Sequence, residues 1–303
     1  MQKWIEVRVL DDELARQLPP DLGTDLTSAE EVARIREYSP DYVSTRRIRL
    51  LADSPRWEEF LAARERVPPD ARDGFGGWFE YRYTKKELLS AELLRLEVTR
   101  AFEPEGELCG TVYDESAACP RCGAGRQQKS DLHLQLRRVP QAWPSIPQAK
   151  HTGIAKTIAD EIIVSHIVGK LMQDHEITGA ELRPVRSCGP NGKVTPLWHQ
   201  LWVTASAGRT IPPTEFGVGP FKPDPEGEFA CPRGHVSGLN LLSEVYVKRE
   251  DWEGADISAT EDLYGCRRGV LVPAPAILIT QRFYRLLMEN NVKGFKVEVA
   301  HLV

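Results

Sequence analysis

The chain opens on an alternation: Ile5, Val7 and Val9 are separated by Glu6 and Arg8, which predicts a strand with one buried face. Arg46 to Leu51 reads as a second strand. Ser28-Ala29-Glu30-Glu31 has the form of a capping box, which predicts a helix through about Tyr38. Ser54-Pro55 places a capping hydroxyl before a proline at the first helical position, and Trp57, Phe60, Leu61 and Val67 follow at helical spacing. Gly74, Gly76 and Gly77 mark a tight loop before Trp78. Thr84-Lys85-Lys86-Glu87 is a further capping box, opening a helix that carries Leu88, Leu89 and Leu93. The period then changes to two. Leu94, Leu96, Val98 and Phe102 predict a strand, and Leu132, Leu134 and Leu136 another.

Farther along, Pro140 to Pro147 interrupts the pattern and marks an internal boundary. Asp160 is placed to cap a helix through His175, with Ile163, Ile167 and Leu171 on one side. Short strands are expected near Glu181–Val185 and His199–Thr204. A proline-rich stretch, Ile211 to Glu228, reads as irregular. Thr280 caps a helix with Phe283, Leu286 and Leu287; Gly294 ends it, and Phe295, Val297 and Val299 alternate as a closing strand. This pattern predicts an α+β fold, with mixed or antiparallel sheets and flanking helices. Residues 1–103 form an N-terminal α+β region without an assigned role, and residues 104–303 a second α+β domain.

Composition narrows the class. At 303 residues, 41% hydrophobic and 27% charged, the chain is long enough for two modest cores. It has no run of about 18 apolar residues, so no membrane-spanning helix is expected. The first residues carry no apolar signal core, and six cysteines are too few for a disulfide-built scaffold. Both features suit a reducing, cytoplasmic setting.

The cysteines carry the clearest chemistry. Cys119-Pro120-Arg121-Cys122-Gly123 presents two thiols on one tight turn, and Cys231-Pro232-Arg233-Gly234-His235 repeats its beginning. Glycine supplies the backbone angle such a turn needs. The repeat lacks the second Cys but offers His235 one place later. Cys119, Cys122, Cys231 and His235 therefore form a candidate Cys3His set, a closed coordination shell of the kind that holds structural zinc and joins distant halves of the chain. Cys109, Cys188 and Cys266 read as small buried residues, with spare ligands or reactive thiols as the alternatives.

Catalytic signatures are not found. A zinc deaminase needs His-x-Glu ahead of its Cys-x-x-Cys, yet the first histidine here is His133. Gly189-Pro190-Asn191-Gly192-Lys193 is too short for a phosphate loop, and Val194 stands where Ser or Thr would bind magnesium. Asp114 and Glu115, just before the first knuckle, are read as acceptors for turn amides. Arg121, Arg126, Lys129, Arg137 and Arg138 around the first knuckle, with Arg46, Arg47 and Arg49, support a nucleic-acid reading. Against it, Asp224 to Asp262 holds ten acids and three bases. Such a surface repels phosphate and attracts a basic protein. Within that stretch Glu250, Asp251, Trp252 and Glu253 are the candidate partner-binding residues, an aromatic ringed by acids.

The paired knuckles and the helix-plus-strand ending, Ile279 to Val303, resemble the double-CXXCG motif family of bacterial proteins. The resemblance spans roughly Gly110 to Val303 and departs at Gly234-His235, where the family has Cys-Gly. Some members are assigned as immunity proteins against polymorphic toxins. The resemblance therefore implies a non-enzymatic, zinc-stabilised protein that binds another protein, a basic toxin being the candidate. The alternative is a zinc-ribbon nucleic-acid binder, and the third reading is an enzyme whose site has no sequence signature.

Overall fold

The computed structural model describes residues 1–9, 12–19, 22–25, 46–136, 152–189, 191–222, 224 and 227–303. The helix expected over residues 28–38 and the proline boundary at 140–147 lie outside them. The fold is mixed α+β, mostly sheet with few helices. Two compact units emerge, one from residues 1–85 and 217–225, the other from residues 86–216 and 226–303.

In the first unit, β1 (Gln2–Val9) pairs antiparallel with β3 (Arg46–Leu51) and β4 (Phe75–Arg82), while β2 (Thr24–Asp25) edges β3. Alternation sends Ile5, Val7, Val9, Ile48 and Leu50 to one face, all buried. Helices α1 (Asp12–Gln17) and α2 (Pro55–Glu65) contribute Leu14, Phe60 and Ala63 to the same core. The Ser54 side chain caps α2 by accepting from the Trp57 amide at 3.3 Å. Phe221 returns late in the chain to pack on Phe60, ring centroids 5.5 Å apart.

Gly76 and Gly77 lie inside β4, where a loop was expected. Gly77 faces Val7 across the sheet, and a Cβ there would stand 2.6 Å from the Glu6 carbonyl oxygen. Gly77 permits close strand approach, so the turn signal misleads.

The second unit begins one residue into helix α3 (Lys85–Ser90), which ends before Leu93. That leucine instead starts β5 (Leu93–Val98), the centre of a five-stranded sheet. Its neighbours are β18 (Ala274–Thr280) and β19 (Phe295–Leu302), flanked by β17 (Ile257–Tyr264) and β16 (Val245–Val247). Because β5 pairs with strands almost 200 positions downstream, it lies in the second unit, although the sequence placed it with residues 1–103.

A six-stranded sheet runs β6 (Ala101–Phe102), β10 (Ile154–Thr157), β11 (Ile162–Ser165), β13 (Val194–Val203), β12 (Ala180–Ser187) and β9 (Leu132–Leu134). Helices α4 (His166–Asp174) and α5 (Gln281–Glu289) help fill the core, which includes Leu94, Leu96, Ile154, Val164, Met172, Ile279 and Phe283. Two small ladders complete the unit: β7 (Tyr113–Asp114) with β8 (Gln127–Gln128), and β14 (Phe216–Gly217) with β15 (Asn240–Leu241).

Asp160 caps nothing, contrary to expectation. The branched run Ile162-Ile163-Val164 is a strand, and Ser165 caps α4 instead. Thr280 caps the final helix as expected, accepting from the Phe283 amide. Among the described residues, no helix is long and apolar enough to cross a membrane.

Candidate metal centre

The first knuckle is the loop of the β7–β8 hairpin. Its backbone closes on itself: the Cys119 amide donates to the Ala124 carbonyl at 2.7 Å, and the Gly123 amide to the Cys119 carbonyl at 2.8 Å. Gly123 takes φ +77°, the left-handed value that glycine tolerates. The second knuckle is built alike. Cys231 N–H donates to the Val236 carbonyl at 2.8 Å, and Gly234 adopts φ +75°. Both loops close with the same five-residue step. The left-handed glycine, however, stands four places after the first Cys in one and three places after it in the other. His235 therefore occupies the position that Gly123 holds in the first loop.

Each knuckle is fastened to a different sheet. Gln128 exchanges amide hydrogen bonds with Gln200 of β13 at 2.9 and 2.7 Å, and the Tyr113 hydroxyl donates to Glu161 beside β11. The second knuckle lies along β17, where Leu263 N–H donates to the His235 carbonyl at 3.1 Å and Ser237 N–H to the Leu263 carbonyl at 2.9 Å. Arg267, just past β17, reaches across to the first knuckle, pairing with Glu115 at 2.6 Å while its side chain lies over Gly123.

These attachments bring Cys119, Cys122, Cys231 and His235 together, one donor atom from each lying within 4.8 Å of every other. The Cys119 and Cys231 sulfurs are 4.0 Å apart, and His235 Nδ1 is 3.7 Å from Cys122 Sγ and 3.8 Å from Cys231 Sγ. A tetrahedral shell with zinc–sulfur bonds near 2.3 Å and zinc–nitrogen bonds near 2.05 Å has edges of about 3.8 Å for S–S and about 3.6 Å for S–N. The donors thus fit a four-coordinate ion of that size. All three thiols are buried, with Val236, Ala124 and Leu263 packed around them.

Electrostatics favours a cation here. The amides of Cys122 and Arg121 hold the Cys119 thiol down to about 6, in the thiolate form a ligand must take. Burial pushes the Cys122 thiol up to about 11, helped by hydrogen bonds to its neighbouring thiols. The protein alone stabilises one thiolate. At Cys122 the thiolate is disfavoured, and a positive charge beside it would offset that cost.

The other candidate residues meet different fates. Asp114 accepts from the Ser116 amide at 2.8 Å, the turn role expected of it. Arg126 lies over the Tyr113 ring at 3.8 Å and pairs with Glu107 and Glu115, while Lys129 pairs with Asp114 at 3.6 Å. Arg121 is exposed, and Arg137 and Arg138 fall outside the described residues. In the first unit, Arg47 and Arg49 converge on the buried Glu6 carboxylate at 2.6 and 3.3 Å, and Arg46 donates to the Leu18 and Pro19 carbonyls.

The acidic stretch divides in two. Asp256 is buried and accepts from the Thr178 amide, Thr280 and Arg282, while Asp262 is buried and accepts from Thr210 and Arg209. Both are structural. Glu250, Asp251, Glu253 and Glu261 are exposed, and the last three gather around the Ser206–Gly208 turn. Trp252, expected as an anchor among them, is half-buried against Val245, Val247 and Ala207.

A cleft that no motif announced opens beside the first knuckle. It encloses about 350 Å³ between Tyr113, Arg126, Gln200, Trp202, Leu263 and Pro275. Its parts come from six separated segments, so periodicity gives no sign of it. No protein-family model matches the chain, and no curated protein matches its sequence.

Proposed function

We propose that this chain is a zinc-stabilised binding protein whose partner is another protein of basic character. The single observation that carries the reading is the Cys3His cluster: the three distances of 3.7–4.0 Å among its donors are near those of a zinc tetrahedron, and four donors would leave no open position for substrate or water. Such an ion shapes a surface and performs no chemistry. The exposed acids Glu250, Asp251, Glu253 and Glu261 lie on β17 and the loop before it, the same edge that carries the second knuckle. They offer the charge that speeds encounter with a basic partner. In the terms of the double-CXXCG resemblance, that partner is a toxin and this chain its immunity protein.

The nucleic-acid alternative loses ground on charge. Arg126 and Lys129 are matched to carboxylates, which reduces the net positive field around the first knuckle, and within the first unit Arg47 and Arg49 are matched to Glu6. The discriminating experiment is retention of RNA, DNA and basic proteins on immobilised protein at about 150 mM salt. Capture of a basic protein, lost when Glu250, Asp251 and Glu253 are all changed to Lys, supports the reading. Tight retention of nucleic acid that survives those changes and fails with Arg121→Ala overturns it.

A further inference from the structure

Two cysteines outside the metal shell meet in the folded chain. Cys109, in the segment between β6 and β7, is almost fully shielded at 1% exposure, whereas Cys188, just after β12, is exposed. One backbone bond joins their segments directly, and two further contacts brace the Cys188 segment against β9. Gly189 N–H donates to the Cys109 carbonyl at 3.0 Å, Cys188 N–H donates to the Leu134 carbonyl at 2.8 Å, and His133 Nδ1 contacts the Gly189 carbonyl at 3.2 Å. The Gly189–Cys109 backbone bond sets residue 188 beside Cys109, close enough for Cys188 to raise the Cys109 thiol. One is open to solvent and one is closed off behind it, on a backbone that already holds them in contact.

We propose that Cys109 and Cys188 form a thiol–disulfide exchange site that accepts low-molecular-weight disulfides. The order of events follows from exposure. The Cys188 thiolate attacks one sulfur of the small disulfide, whose S–S bond breaks. One small thiol leaves, carrying the proton lost by Cys188, and Cys188 is held as a mixed disulfide. The Cys109 thiolate then attacks the Cys188 sulfur, forming the protein disulfide and releasing the second small thiol with the Cys109 proton. Two protein thiols are oxidised by two electrons, and one small disulfide is reduced to two thiols.

Cys109 cannot begin the sequence, because a bulky disulfide does not reach it. Burial and the neighbouring Cys188 also push its thiol up to about 12, so the second step is the slow one. The product ties the segment leading into the first knuckle to the β12–β13 turn of the six-stranded sheet. The zinc ligands are spared: Cys119, Cys122 and Cys231 are all buried and committed to their shared shell.

The test is incubation of the purified full chain with oxidised glutathione, followed by alkylation, proteolysis and mass spectrometry. A glutathione adduct on Cys188 is expected first, giving way to a peptide pair joined Cys109–Cys188 and reversed by dithiothreitol. Cys109→Ser should accumulate the Cys188 adduct at least ten-fold over the parent, while Cys188→Ser should form neither species. Circular dichroism confirms that each variant is folded. A wild-type adduct on Cys188 that persists without the cross-link overturns the proposal, as does a disulfide drawn first from Cys119, Cys122 or Cys231. The wild-type experiment decides alone should a variant fail to fold.

Discussion

Removing the metal should cost the second unit a large part of its stability. An ion in the Cys3His site would join donors 112 positions apart and bridge the β7–β8 hairpin to the second knuckle. Treated as a cross-link closing that loop, it is worth about 5 kcal/mol in the chain-entropy relation. Mass action gives a similar figure, since free zinc at about 1,000 times its dissociation constant stabilises the folded state by about 4 kcal/mol. For a unit of roughly 210 residues, each kcal/mol moves the unfolding midpoint by about 2–4 °C. Chelation should therefore lower the midpoint by about 8–16 °C, and Cys119→Ser should act in the same direction. Differential scanning calorimetry before and after chelator treatment measures this, with metal content checked by elemental analysis. A shift under about 2 °C, with zinc shown to be fully removed, would refute the reasoning and make the site peripheral.

Metal affinity should rise with pH across the neutral range. Burial holds the Cys122 thiol up to about 11, so it surrenders a proton when the ion binds; the loaded site carries fewer protons, and raising the pH favours it. Competition with a chelator at pH 6.5 and pH 8 reads this, and equal affinities would contradict it. Phe60→Ala should destabilise the first unit by about 3–5 kcal/mol, because the ring is fully buried and stacks on Trp57 at 5.4 Å. Urea unfolding reports the loss, and a change below about 1 kcal/mol would mean that the core re-forms around the gap. Gly234→Ala should cost about 1–2 kcal/mol through backbone strain alone, since φ is +75° and a Cβ meets nothing within 4 Å.

What the sequence disclosed, and what it withheld, follows from where each signal resides. β1 was legible because Ile5, Val7 and Val9 face one core while Glu6 and Arg8 face away, and the period of two survives intact. Helices α2 and α5 were legible because Ser54 and Thr280 cap them in the ordinary way. β17 and β18 were missed. Ile257 and Ser258 are both buried, as are Leu278 and Ile279, so strands covered on both faces show no alternation. Asp160 misled because a capping residue type was followed by apolar groups whose branching favours a strand. That Trp252 is half-buried among exposed acids is invisible in a string of letters. The four residues that cluster could be named from spacing because each knuckle is local; the cleft beside them could not, since Tyr113, Gln200 and Pro275 meet only through the sheets.

The shift of one residue between the two knuckles explains the odd donor, and it can be reversed on purpose. Both loops close from the first Cys amide to the carbonyl five residues on, and each needs one left-handed glycine. In the first loop that glycine is the fourth residue after Cys119, which leaves the third, Cys122, free to turn its thiol inward. In the second the glycine is already spent at the third position, Gly234. The inward donor must then come from the fourth, where His235 presents Nδ1 to the shell. Adding a thiol at the third position alone, Gly234→Cys, would set a side chain at a left-handed φ and leave the imidazole competing for the ion. The paired change Gly234→Cys with His235→Gly moves donor and glycine together and restores the geometry of the first loop. We expect the paired variant to retain one metal per chain and the single variant to bind more weakly. With cobalt as the probe, sulfur-to-metal charge-transfer absorption should rise by roughly a third as three thiolates become four. Loss of metal from the paired variant, with the single variant unaffected, would show that the two loops do not share one backbone design.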